Sequence, residues 1–170
     1  MNEQILKAQI TVHEGKVDKI YIDSLGYPTF GIGHLIKESD PEYGQPEGTP
    51  VSPERVKEVF DIDFDLHVEE TKHLCEERDI DFEALPQAIQ HTLVDMCFNL
   101  GKNRLGKFNN MLNACKENNW VEMAEQMKDS RWYTQVGVRS EFLVREVLNQ
   151  EHPSNPESDD EERATEAPQS

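Results

Sequence analysis

The chain has 170 residues, 36% hydrophobic and 30% charged, with a mean hydropathy of -0.74 and a formal net charge of -17. That is enough to bury a sizeable core in one domain, or in one domain of two lobes. So acidic a balance argues against nucleic-acid binding, which needs a basic face for the phosphates, and no apolar run approaches the roughly 18 residues that span a bilayer, so membrane insertion is not expected.

From Glu3 to His13 the pattern predicts a helix, with Ile5, Leu6, Gln9 and Ile10 along one face. The opening MNEQILKAQITV has no basic stretch followed by an apolar one, so no secretory signal is expected. Lys19 to Asp23 and Thr29 to Gly33 are short and rich in Ile, Tyr, Thr and Phe. They read as a β-hairpin turned at Gly26. Residues 37–51 hold three prolines and two glycines, the composition of a surface loop.

Ser52-Pro53-Glu54 starts a helix. Ser caps the free N–H groups, Pro fits the first turn, and Glu favours the positive end of the dipole. Val56, Val59, Phe60 and Phe64 carry its apolar face, and it runs to about Arg78. A linker at 79–85 follows. From Pro86 on, Ile89, Leu93, Met96, Cys97 and Leu100 recur at helical spacing, and Gly101 ends that helix. Shorter helices are expected at 107–116, 119–128 and about 138–149. Residues 151–170 contain seven acids and one arginine, a net of -6, which leaves -11 on residues 1–150. This tail has almost no large apolar residue and is expected to be disordered. There are no internal repeats.

Cys75, Cys97 and Cys115 are odd in number, and their spacings match no metal motif, so reduced buried thiols are expected and no metal site is predicted. The six histidines do not cluster, and His67 and His73, which share a predicted helix, are read as surface residues.

The chemistry concentrates in Thr11–His34. Glu14 closes the first helix, Asp23 ends the strand KIYID, and Thr29 opens TFGIG past the turn. Two carboxylates and a water-holding hydroxyl suit hydrolysis of a glycosidic bond. The glycosidic oxygen leaves poorly unless protonated as the bond breaks, which makes Glu14 the candidate general acid. Asp23 could stabilise positive charge on the sugar, serve as base toward water, or act as nucleophile. Taken singly, Glu14 could equally be a surface acid, Asp23 a turn residue and Thr29 a strand former.

The ordered set HEG, YID, GYPTFGIGH and, much later, SRWYTQ followed by Arg139 resembles the phage-type lysozymes of glycoside hydrolase family 24, of the T-even phage kind, over roughly Asn2–Gln150. The resemblance implies an α+β, two-lobed lysozyme-like fold. A small N-terminal lobe with a hairpin sheet would occupy about 12–60. A connecting helix would span about 53–78 and an all-helical lobe 79–150, with the site in the cleft between the lobes and the tail at 151–170.

It also implies that Thr29 and Asp23 hold the attacking water on the far face of the sugar, giving inversion. Arg139 would lie beside Glu14. His34 and Asp63 would form a structural ion pair. Ser130-Arg131-Trp132-Tyr133 is read as packing rather than substrate contact. Leu35 and Phe98 match the family's substrate contacts, whereas Met111 and Gln126 stand at contact positions with altered side chains, and Leu25 replaces an acid next to Asp23.

The expected activity is that of a cofactor-free muramidase. It would cut the β-1,4 bond between N-acetylmuramic acid and N-acetylglucosamine in bacterial peptidoglycan during host lysis. The protein is expected to be a monomer, made in the host cytoplasm and dependent on a separate membrane pore protein to reach the wall. Two other readings stand beside this one: a lytic transglycosylase, which can run on one acid, and a non-catalytic wall-binding virion protein.

Overall fold

Asn2 opens the first helix, its side chain accepting a hydrogen bond from the Ile5 N–H, and α1 runs Glu3–Glu14 in the computed structural model, which describes residues 1–151. All but the first residue of the acidic tail therefore lies outside the described residues. The backbone groups into two compact units, Met1–Phe108 and Asn109–Ser170. The fold is α+β: a small antiparallel sheet near the N-terminus and helices in most of the rest.

In the first unit, β1 (Val17–Ile22), β2 (Pro28–Gly31) and β3 (His34–Leu35) form a sheet in that order. Tyr21 pairs with Thr29, and Phe30 with His34; the register shifts between Val17 and Tyr21. The hairpin lies where the sequence places it, but its second strand stops at Gly31. Gly31 and Gly33 both have positive φ, which turns the chain sharply and frees His34 and Leu35 to form the third strand. The predicted loop at 37–51 does not simply cross the surface. Its end docks on the outer edge of β1, where Ile20 N–H donates to Thr49 O at 2.9 Å and Val51 N–H to Asp18 O at 2.8 Å. That pairing satisfies an edge that would otherwise stay open.

The helix α2 runs Pro53–Glu77, capped by the Ser52 side chain on the Arg55 N–H. Ile80, Phe82 and Leu85 of the predicted linker are buried around a short 3-10 turn, Phe82–Ala84, so this segment is packed structure. The helix α3, Gln87–Leu100, is buried without a break from Ile89 to Phe98. Burial on all sides is the mark of a central helix. Among its buried polar residues, Gln90 Nε2 donates to Phe82 O and Thr92 Oγ1 to Ala88 O, both at 2.8 Å, whereas His91 Nε2 has no hydrogen-bond partner. Leu6, Ile10, Phe30, Phe64, Ile89 and Leu93 fill the core, each contributing about 1.5–3 kcal/mol by leaving water. Ile5 was expected on the apolar face of α1 but is 54% exposed, because Leu6 and Ile10 alone point inward. A one-turn helix, α4 (Lys102–Leu105), completes the unit.

The second unit is helical: α5 (Asn109–Lys116), α6 (Trp120–Lys128), α7 (Arg131–Val136) and α8 (Val138–Leu148). Leu112, Met123, Met127, Leu143 and Val147 form its core. SRWY proves to be the start of a helix: Ser130 caps α7 by accepting from the Tyr133 N–H, and Trp132 is buried. Ser140 Oγ lies 2.7 Å from both Tyr133 O and Gly137 O, which ties α8 to α7. All three cysteines are buried and outside any disulfide, and burial pushes the thiols of Cys75 and Cys97 up to about 12. No helix among the described residues is long and apolar enough to cross a membrane.

Candidate active site

Glu14 is the last residue of α1, and Gly15, at φ 75°, ends the helix by turning the chain into β1. The preceding residue anchors this helix end. His13 Nδ1 lies 2.9 Å from Asp95 Oδ2, and Gln9 Nε2 donates to the same oxygen at 2.8 Å. Asp95 is fully buried in α3. The end of α1 is thereby fixed to the central helix, and Glu14 with it.

The carboxylate of Glu14 is half-buried and lies against the backbone of Gly33. A Cβ at Gly33 would meet Glu14 Oε2 at 2.7 Å and its Cδ at 3.0 Å. Such separations are well inside contact distance, and Gly33 also has φ +66°. The second glycine of GIGH thus serves the backbone turn, and a side chain there would push the Glu14 carboxylate aside. Gly31 supports the same turn from below, where a Cβ would come within 3.2 Å of Val56 Cγ1.

Asp23 follows β1 and shapes the hairpin turn. Its Oδ1 accepts from the N–H groups of Leu25 at 2.9 Å and Tyr27 at 2.8 Å. Asp23 is thus a turn residue, and both turn bonds use Oδ1, leaving Oδ2 out of them. Thr29 is buried, and its Oγ1 donates to Tyr27 O at 2.9 Å. With its hydrogen committed there, the hydroxyl oxygen can meet a water only as an acceptor.

Tyr21, paired with Thr29 across the sheet, connects the two acids. Burial raises its phenol above the usual range, and the negative charges of Glu14 and then Asp23 raise it further. Tyr21 therefore feels both carboxylates at once. Sequence reading passed over it, although it stands only two residues before Asp23 in KIYID.

The expected contact between His34 and Asp63 is present, at 2.7 Å from Nδ1 to Oδ2. A second acid, not foreseen, binds the other ring nitrogen: His34 Nε2 lies 2.8 Å from Asp40 Oδ2. Burial lowers the His34 pKa, but its bonds to Asp63 and Asp40 outweigh this and leave it raised. Burial opposes the ionised form of Asp40, but the Lys37 N–H and His34 prevail and hold its carboxyl low. Arg55 extends the network. Its Nε donates to Glu42 Oε1 at 2.8 Å, and a further guanidinium nitrogen lies 3.7 Å from Asp40 Oδ1. That hydrogen bond from Arg55 is the main reason the Glu42 carboxyl is held low. The network ties β3 and the following turns to α2.

Glu14, Asp23, Thr29, His34, Leu35, Asp63 and Phe98 all belong to the first unit, and Arg139, Met111 and Gln126 to the second. Leu35 is half-exposed, while Phe98 is nearly buried with its ring against Phe60 and His67. Met111 is 1% exposed and packs within the second unit's core, and Gln126 donates to Glu122 Oε1 at 2.8 Å. Arg139 is buried in α8 rather than facing solvent.

Glu14 at the end of α1 and Asp23 at the hairpin turn both act on Tyr21, which pairs with Thr29 across the sheet. The sequence profile described as Phage lysozyme matches residues 11–146, so the chain belongs to the phage lysozyme family. It is 30% identical over 149 residues to the Pre-baseplate central spike protein Gp5 of Enterobacteria phage T4, covering 79% of this chain and 26% of that one. It is 27% identical to the Peptidoglycan hydrolase gp36 of Pseudomonas phage phiKMV, covering 82% of this chain and 14% of that one. It is 26% identical to the Probable T4-type lysozyme 2 of Dictyostelium discoideum, over 82% and 91% of the two chains. The chain thus spans only a minor part of the two phage proteins and nearly all of the Dictyostelium one.

Proposed function

We propose that this protein is a muramidase that hydrolyses the β-1,4 bond between N-acetylmuramic acid and N-acetylglucosamine in bacterial peptidoglycan. Glu14 gives its proton to the glycosidic oxygen as the bond to the anomeric carbon breaks. A water, accepted by Thr29 Oγ1 and deprotonated by Asp23, forms the new bond from the opposite face, so the configuration inverts. Inversion requires about 6.5–9.5 Å between the two carboxyls to admit that water. The observation that carries this reading is the bare backbone of Gly33 against the Glu14 carboxylate, which reserves space for an acid at a helix end. Family membership and the printed name of the phiKMV relative support peptidoglycan as the substrate. The protein acts as a cofactor-free monomer in host lysis, made in the host cytoplasm and reaching the wall through a separate pore protein.

Digesting purified peptidoglycan and analysing the fragments by mass spectrometry tests the reaction. Hydrolysis leaves reducing muramic-acid ends. Anhydro ends would mean that the sugar's own hydroxyl attacked, as in a transglycosylase, and an undigested wall would reduce the protein to a binding module.

A further inference from the structure

On the packed pair α2 and α3, three metal-ligating side chains converge. His67 and Glu70 are one turn apart on α2, and Cys97 faces them from α3. His67 Nδ1 is 3.0 Å from Glu70 Oε2, and Cys97 Sγ is 3.9 Å from the imidazole nitrogen and 3.8 Å from the carboxylate oxygen. The thiol is buried, whereas the imidazole and carboxylate are partly open to solvent at 20% and 31% side-chain exposure. The Phe98 ring, 5.0 Å from the His67 ring and edge-on to it, helps fix the imidazole plane.

We propose that His67, Glu70 and Cys97 form a Zn²⁺ site with three protein ligands and a fourth position open to water. A tetrahedral zinc with its usual bonds to nitrogen, oxygen and sulfur holds such ligand atoms about 3.4–3.6 Å apart. The three observed separations differ from this by a few tenths of an ångström. Closing the site therefore needs only small side-chain rotations.

The ligand chemistry selects the ion. A thiolate with an imidazole suits zinc, whereas magnesium and calcium require oxygen ligands. Binding displaces the thiol proton, which leaves to solvent. Sequence spacing conceals this trio, since Cys97 comes 27 residues after Glu70 and only the packing of α2 on α3 brings them together. An ion there would cross-link the two long helices of the first unit. None of the three ligands is Glu14, Asp23 or Thr29, so the proposal does not rest on that reading.

The test uses full-length protein freed of metal with a chelator, under reducing conditions. One equivalent of Co²⁺, a coloured substitute for zinc, should give a thiolate-to-cobalt charge-transfer band that Zn²⁺ abolishes. Glu70→Gln should weaken Zn²⁺ binding by about 10-fold or more at unchanged circular dichroism, and Cys97→Ala should remove the band while Cys75→Ala keeps it. Zn²⁺ at a hundred times its Kd should raise the wild-type Tm by roughly 5–10 °C. If wild type shows no charge-transfer band at one equivalent, or if Glu70→Gln binds Zn²⁺ as tightly as wild type, the trio is only a hydrogen-bonded contact between helices and the proposal falls.

Discussion

The sheet region from Glu14 to Leu35 and the central helix α3 belong to the same unit but are built by opposite rules. In α3, ten consecutive residues are buried. The sheet region instead spends its sequence on turns: Gly15, Gly26, Gly31 and Gly33 all have positive φ, and Asp23 uses one oxygen to hold a turn together. It keeps Glu14 and Asp23 partly exposed. The helix is constructed for stability, and the sheet region for placing charges, which the helix then supports through the His13–Asp95 contact. The contrast shows why substitutions in the two regions should separate activity from stability.

Gly33→Ala should break the sheet region most sharply. The new methyl must displace the Glu14 carboxylate, and misplacing a catalytic group by about 1 Å costs on the order of 10²-fold in rate. Positive φ adds a stability loss of about 1 kcal/mol. Clearing of permeabilised bacteria should collapse while circular dichroism stays native. Near wild-type clearing would show that the close approach has no role in activity.

Leu93→Ala tests the other side. Leu93 is 1% exposed, and truncating such a residue costs about 2–5 kcal/mol. Urea denaturation should show this loss, whereas the specific activity of the folded fraction should hold. A large activity loss in fully folded protein would contradict the division of labour.

The His34 network should show in the pH dependence of stability. Its folded pKa is raised, so its contribution is complete below the ordinary value of 6.5 and fades as pH rises through the folded value. Asp40 is lowered, so its contribution is complete above the ordinary 3.8 and fades as pH falls through its folded value. Asp40→Asn should therefore cost most between about pH 4 and 6.5, roughly 1.5–3 kcal/mol for a hydrogen bond between charged groups. A Tm difference that does not vary from pH 3 to 9 would refute the pairing.

Thr29→Val should have a smaller effect, about tenfold in rate, by removing the acceptor for water while keeping the β-branched shape. An unchanged rate would mean that the water is placed by other groups.

Much of this was legible in the sequence, because the signals are local. Ser52-Pro53 marks the start of α2, periodicity reveals α3, and the hairpin turn is written in SLGYP. Glu14, Asp23 and Thr29 stand out as candidates in the sequence because they occur at fixed offsets around that hairpin. What escaped reading depends on contacts distant along the chain. Strand β3 has two residues and no periodicity to detect. Asp40 lies in a segment that looks like a loop, and only folding brings it to His34. Helix α7 has six residues, too few for an apolar stripe, and is recognised by its Ser130 cap. The His67–Glu70–Cys97 trio is split between two helices in the same way.

The central claim is that the carboxylate beside Gly33 supplies the proton that breaks the sugar bond. Glu14→Gln keeps the shape of the side chain and removes that proton. Turbidity clearing by the purified variant, measured beside its melting temperature, is the most direct test. General acid catalysis is worth about 10²–10⁴-fold, so clearing should fall at least that far with Tm nearly unchanged. Clearing within a few-fold of wild type would remove Glu14 from the mechanism and contradict the account.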